Sequence, residues 1–318
     1  MSNTEQTTVE AIAQEKSRSK LAGFLVRFVR EKPLGAFGGI ITMLFFLTAI
    51  FCDLLAPYGM NEISVAPRLA PPSANYLLGS DQLGRDVLSR IIYGSRVSVI
   101  VGLTATALST LISVLLGIVS GYIGGVFDLL VQRFVDAWMS FPGLVLLIVV
   151  MVILTPGMWQ IIVASSLLFG ISGSRIVRSA VIGMKENAYI KAAEAIGCST
   201  RRTLLRHILP NIMASIIILF TTRVPAMILT EASLSFLGLG IPPPTPTWGG
   251  MLSIEGRRFM LQSPWLAVWP GLVLAFVVYG VNMFGDAVRD LLDPRLRGGV
   301  GRYSGAGARL EKRRRRKV

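Results

Sequence analysis

Histidine and cysteine are almost missing from this chain of 318 residues, which has one of the first, His207, and two of the second, Cys52 and Cys198. So few ligands exclude a conventional zinc site. Cys52 falls in a hydrophobic run and Cys198 in a polar loop, so no disulfide framework is available and packing is their expected role. There is no Gly-Lys dipeptide and therefore no phosphate-cradling Walker loop, so any ATP chemistry must lie on another chain. Charge is scarce too: Asp, Glu, Lys and Arg make up 16% of the residues against 52% hydrophobic. With a mean hydropathy of +0.61, the composition lacks the polar surface that a soluble domain of this length needs. The chain belongs in a bilayer.

What is present is a series of apolar runs long enough to cross about 30 Å of hydrocarbon. They fall at 34–56, 97–123, 134–155, 159–181, 212–235 and 264–285. The expected fold is an all-α integral membrane protein of six helices with both termini on one side. The third run is the least regular, because its unbroken apolar stretch starts only at Phe141 and contains Pro142; the fifth carries Arg223 and Pro225. The chain divides into a tail (1–33), a first span with an external loop (34–96), a core of five spans (97–290) holding a polar loop at 185–211, and a basic tail (291–318).

Orientation follows from Lys and Arg. Of the 32 in the chain, all but Arg68, Arg85, Arg90, Arg96, Arg223, Arg257 and Arg258 fall on the side of the termini and the 185–211 loop. The positive-inside rule then predicts N-in, C-in, with that loop in the cytoplasm. The first twenty residues are polar, without an apolar core or a small-residue cleavage site, and read as a tail, not a secretory signal. The closing RLEKRRRRKV suits anionic lipid or solvent on a cytoplasmic tail better than nucleic acid.

Between the first two spans, Pro57, Pro67, Pro71 and Pro72 precede an expected amphipathic helix at 81–93 that would roof a pathway. The other outer region, 238–264, has Pro242, Pro243, Pro244, Pro246 and Trp248, followed by Trp265 and Trp269. It reads as a stiff turn with aromatic anchors, or simply as helix ends at a membrane rim. Gly102, Thr106, Ser109, Thr110, Ser113, Gly117 and Gly121 form a small, weakly polar stripe on the second span. Such a stripe lets helices approach closely; alternatively Ser109 and Ser113 line a pathway. Arg223 and Glu231 are further pathway candidates, since ionisable groups within a span are expensive and usually face protein or water. They lie roughly 12 Å apart along a helix, too far for a tight pair without a bend at Pro225.

The stretch 186–211, ENAYIKAAEAIGCSTRRTLLRHILPN, reads as helix, glycine break and helix. Ala188, Ala192 and Ala195 recur at i, i+4 and i+7 on one smooth face, with Lys185, Lys191 and Glu194 largely elsewhere. Gly197 suits a left-handed helix end, Ser199 a cap for the next helix, and Leu204, Leu205, Ile208 and Leu209 its apolar side. Pro210 marks an expected boundary before the next span. Taken alone, the segment could be an amphipathic loop helix resting on headgroups. The spacing of Ala192, Ala193, Gly197, His207, Leu209 and Pro210, however, closely resembles the cytoplasmic EAA loop of bacterial ABC importer permeases. Lys191 departs from it by standing where the family has glutamate. Residues 78–102, 229–251 and 285–298 are similar to the permease branch that handles dipeptides, oligopeptides and nickel, so the resemblance runs from about 34 to 298.

The resemblance implies a type I ABC importer permease in a bacterial or archaeal plasma membrane: a subunit, not itself an enzyme, of an ATP-driven, binding-protein-dependent importer. Dipeptides or oligopeptides are the implied substrates, with nickel or another small solute as the alternative. It implies docking of an ATPase on the loop, with Glu186, Ala188, Lys191, Ala192, Ala193, Glu194, Gly197, Arg201, His207, Leu209 and Pro210 as the contact set. ATP-Mg would bind on two partner ATP-binding subunits, and no cofactor or metal on this chain. A second homologous permease, an external binding protein and membrane lipid complete the expected partners, with no nucleic acid. Two rivals differ in class. Gly170, Ile171, Ser172 and Gly173 spell the GxSG of rhomboid intramembrane proteases, but His207 lies in the loop and the serine lacks a base. An ion-coupled secondary transporter would carry buried acids and inverted repeats; mid-span acids are nearly absent here, and the sequence shows no convincing internal repeat.

Overall fold

The structure, a computed structural model, describes residues 32–292, so nearly all of both expected tails lies outside the described residues. Helices dominate: α1 (Pro33–Ile50), α2 (Cys52–Leu55), α3 (Val87–Ile123), α4 (Gly125–Met139), α5 (Gly143–Leu154), α6 (Met158–Lys185), α7 (Ala188–Ala195), α8 (Thr200–Phe236), α9 (248–259) and α10 (Trp265–Leu292). The strand-like pairing among the described residues is one bridge between Ser80 and Asp86. Five helices, α1, α3, α6, α8 and α10, are each long and apolar enough to cross a membrane, and α4 with α5 makes a sixth as a pair bent by 84°.

That bend corrects the continuous third span expected at 134–155. Proline has no N–H to donate and forces the residue before it out of helical backbone. Accordingly α4 stops at Met139 and α5 restarts at Gly143, directly after Pro142. A second correction concerns α3, which starts ten residues earlier than the expected 97. Asp86 caps it, accepting from Ser89 N and Ser89 Oγ at 2.7 Å each. The separate roof helix expected at 81–93 is therefore absent. Residues 81–86 form a turn clamped by Asp81, which accepts from Leu83 N (2.8 Å), Arg85 N (3.0 Å) and Arg85 Nε (2.5 Å).

The chain ends of this bundle are legible from its contacts. Arg96 near the start of α3 bonds Asp53 at 2.5 Å just beyond α1, and Lys32 before α1 bonds Asp290 of α10 at 2.5 Å. Tyr122 at the far end of α3 reaches Glu194 of α7. Both ends of the described chain therefore lie at the same end of the bundle as α7, as an even number of crossings requires. Trp248, expected as an interfacial anchor, is instead buried at the opposite end, 5.7 Å from the Phe45 ring and donating Nε1–H to Ile91 O at 3.0 Å. An indole N–H placed away from water needs such a partner.

Helices in lipid gain little from apolar burial against each other, so close backbone approach does much of the holding. A Cβ on Gly280 of α10 would lie 2.4 Å from Ile41 of α1, and one on Gly117 of α3 would lie 2.6 Å from Ser174 O of α6. Val101, Leu147, Met151, Ile161 and Met227 fill the centre between α3, α5, α6 and α8. Leu34, Ile40, Leu44, Val152 and Ile153 stay exposed, as the outer face of a membrane bundle requires.

Candidate functional site

The loop after α6 is built around a helix stop. Cys198 N–H donates to Ala193 O and Gly197 N–H to Glu194 O, each at 3.0 Å, the paired bonds of a Schellman motif closing α7. Gly197 supplies the left-handed backbone, φ +82°, and no atom lies within 4 Å of where its Cβ would be. The constraint there is conformation, not space.

Two expected features of the next helix differ. Ser199 occupies the N-cap position with extended backbone, but its hydroxyl makes no capping bond. Pro210 marks a change of helix type without a break: α8 runs from Thr200 to Phe236 through it, and the α-helical part of the span begins at Leu209 with Pro210 in its first turn. A wide π-type turn at Thr203–Ile208, where Leu209 N–H reaches back to Leu204 O, displaces the carbonyls that the proline ring would otherwise strike.

Burial divides the loop into an anchored side and a presented side. Ile190 is fully buried among Val181, Ile208 and Ile212, with Leu204 and Leu209 packed beside them. Tyr122 OH donates to Glu194 Oε1 at 3.0 Å, and Lys185 Nζ donates to Tyr122 O at 2.6 Å while lying 5.1 Å from the same ring. Ala188, Ala192 and Ala195 are exposed together with Glu186, Lys191, Arg201 and Pro210; Ala193 and His207 are half-buried. Leu205, expected on the inner side, is 55% exposed, and Ile196 is 86% exposed. Sequence periodicity missed Leu205 because the wide turn rotates residues after 203 away from a 3.6-residue repeat.

The interior candidates fall into two groups. Ser109 and Ser113 are fully buried in the α3–α6 contact; Ser113 Oγ lies 2.8 Å from Gly170 O and 2.9 Å from Ser109 O, and Ser109 Oγ donates to Thr106 O at 3.0 Å. Arg223 and Glu231 are not paired. Glu231 is fully buried and accepts from Ser235 Oγ at 2.7 Å. Arg223 donates to Phe169 O and sets its guanidinium 5.6 Å from the Phe169 ring centroid. Beside this contact, a cavity of about 410 Å³ opens between the α4–α5 elbow, α6 and α8, lined by Trp138, Phe141, Phe169, Ser172, Thr230 and Ser233. Gly170 and Gly173 of the GxSG sequence serve helix approach: a Cβ on Gly173 would lie 2.4 Å from both Arg223 and Ser113.

Two ion pairs that sequence reading missed pin the elbow to α6. Arg178 holds both oxygens of Asp128, with 2.6 Å from Nε to Oδ1, and Arg175 bonds Asp136. Charges of opposite sign in two consecutive spans were their signal, but which ones meet depends on the elbow.

Comparison with known proteins agrees with this architecture. Residues 113–298 match the family described as binding-protein-dependent transport system inner membrane component, and residues 21–72 match the N-terminal TM domain of oligopeptide transport permease C. The chain is 38% identical over 283 residues to the oligopeptide transport system permease protein OppC of Bacillus subtilis (89% of this chain, 92% of that one). It is 39% identical over 269 residues to the dipeptide transport system permease protein DppC of Alkalihalophilus pseudofirmus (85% and 88%). It is also 36% identical over 291 residues to the glutathione transport system permease protein GsiD of Pectobacterium atrosepticum (91% and 96%). Among solved structures, the inward-facing MetNI methionine ABC transporter aligns with 64% of this chain and 96% of its own at a TM-score of 0.49 and 14% identity. The chain belongs to the inner-membrane components of binding-protein-dependent transport systems and is a multi-pass ABC importer permease of the type I fold.

Proposed function

We propose that this permease carries short peptides, driven by ATP bound and hydrolysed on separate subunits that dock on the 186–211 loop. The observation that carries the docking assignment is the loop's division: α7 is fixed by buried Ile190 and by the Tyr122–Glu194 bond, yet exposes Ala188, Ala192 and Ala195. A small-residue face held rigidly at the cytoplasmic end is a surface for a groove to grip. Ile196 and Leu205 beside it add apolar area that water disfavours. Glu186, Lys191, Arg201 and His207 supply polar contacts, and Gly197, Leu209 and Pro210 hold the loop's shape. Because α7 lies between α6 and α8, moving it moves the two helices that wall the cavity; through Tyr122 it also pulls α3. That is a mechanical linkage from ATP to pathway without a nucleotide or a catalytic group on this chain.

Peptides are favoured as substrate because the relatives are named for oligopeptides, dipeptides and glutathione, all of them peptides. The cavity of about 410 Å³ falls within the roughly 300–1,000 Å³ usual for small-molecule sites. A second homologous permease would face this wall, with two ATP-binding subunits beneath and an external binding protein delivering substrate. The docking assignment is tested with Ala192→Cys in a chain lacking Cys52 and Cys198, carrying a short photoactivatable crosslinker in membranes that also hold the ATP-binding subunits. A covalent adduct with an ATP-binding subunit is expected. Adducts with lipid alone would return the loop to a headgroup-bound helix.

A further inference from the structure

We infer that Arg223 receives the carboxylate of a peptide as it leaves the cavity between the α4–α5 elbow, α6 and α8. This deepens the peptide-permease reading and rests on it. Arg223 sits inside a membrane-spanning helix, where an ionised side chain is expensive and marks a protein-facing or water-facing role. Among the described residues no carboxylate pairs with it. Glu231, the other charged side chain of the α8 interior, lies two turns away and about 80° round the helix, and bonds Ser235. Asp136 and Asp128, across the elbow, are held by Arg175 and Arg178. What holds Arg223 is neutral: the Phe169 carbonyl and the face of the Phe169 ring. These fix the guanidinium without neutralising it.

Its position relates to the cavity. Thr230, seven residues on, shares the helix face of Arg223 and lines the cavity, as do Phe169 and Ser172 of α6. Arg223 lies about 10 Å from Thr230 along α8, toward the end that carries α7. A solute moving from the far end toward α7 meets hydroxyls and aromatic rings first and the cation last. Gly173 keeps this arrangement open, since a Cβ there would press on the guanidinium at 2.4 Å. Unblocked peptides of any sequence share a terminal carboxylate, and a guanidinium recognises it with two parallel hydrogen bonds whatever the side chains are. A cation beside the cavity, reached past Phe169, therefore suits a permease that must accept many sequences while requiring one common group.

The test uses the complete transporter, this chain with its partner permease, ATP-binding subunits and binding protein, in proteoliposomes supplied with radiolabelled alanyl-alanine. Arg223→Met and Arg223→Lys are compared with wild type for uptake, ATP hydrolysis and co-purification of subunits. With one charge-assisted contact removed, Arg223→Met should import about tenfold less peptide per ATP hydrolysed. Its binding-protein-stimulated hydrolysis and assembly should stay within about twofold, and Arg223→Lys should recover part of the uptake. Unchanged uptake per ATP in Arg223→Met would overturn the assignment. So would parallel loss of hydrolysis and co-purification, which would instead give Arg223 to a carboxylate of the second permease. A wild-type transporter that hydrolyses ATP but imports no peptide would overturn the peptide reading itself, and this assignment with it.

Discussion

At the scale of single residues, two glycines do opposite jobs. Gly197 is needed for its backbone: an L residue in the left-handed region costs roughly 1–2 kcal/mol, and a β-branched one more. Gly197→Val should leave the spans inserted but reduce co-purification of the ATP-binding subunits several-fold, whereas Gly197→Asn, which tolerates φ > 0, should reduce it much less. Equal retention of the subunits by both variants would show that the helix stop does not shape the docking surface. Gly173 is needed for space, because its missing Cβ would lie 2.4 Å from Arg223 and from Ser113. Gly173→Ala should destabilise the solubilised protein by about 1–3 kcal/mol, read as a lower melting temperature. Adding Arg223→Met should recover part of that loss, because the two side chains then no longer compete. Gly197 was legible in the sequence, since a helix stop is a local pattern. The Arg223–Phe169 contact joins residues on two separate spans and has no local signature.

At the scale of elements, the long apolar runs fixed five spans because about twenty apolar residues have few other stable homes. The elements read wrongly are those set by tertiary detail. The break at Pro142 was visible as a proline, but its 84° angle depends on what the two halves pack against. The early start of α3 depends on Asp86 acting as a cap, which a helix pattern built on apolar residues overlooks. Trp248 looked like a rim anchor because its partner, Ile91 O, is far away in sequence. The elbow itself makes a prediction. Asp128 and Arg178 are half-buried against each other, so Asp128→Asn, which leaves the guanidinium without its counter-charge, should lower stability by about 1 kcal/mol. The exchange Asp128→Arg with Arg178→Asp should restore most of it. Thermal unfolding of the three proteins decides: no recovery in the exchanged pair would mean that the ion pair does not hold α4 to α6.

At the scale of the whole molecule, the chain combines a helix-lined cavity with a loop at one end of the bundle. It has one loop of the 186–211 type, and its cavity is lined by α4 to α6 and α8. The basic residues place that loop in the cytoplasm, so a cysteine introduced at Pro72 or Pro243, both exposed at the opposite end, should react with an impermeant reagent added from outside. Reaction only from the cytoplasm would invert the arrangement. The central claim is that this chain forms a peptide pathway that works only when an ATP-driven partner pulls on the loop. Uptake of radiolabelled alanyl-alanine into proteoliposomes measures it most directly, comparing this chain alone, under a proton gradient, with the full set of permeases, ATP-binding subunits and binding protein supplied with ATP. The account predicts saturable uptake by the full set, its loss when this chain or ATP is omitted, and none by the chain alone. Gradient-driven, saturable uptake by the lone chain would contradict it.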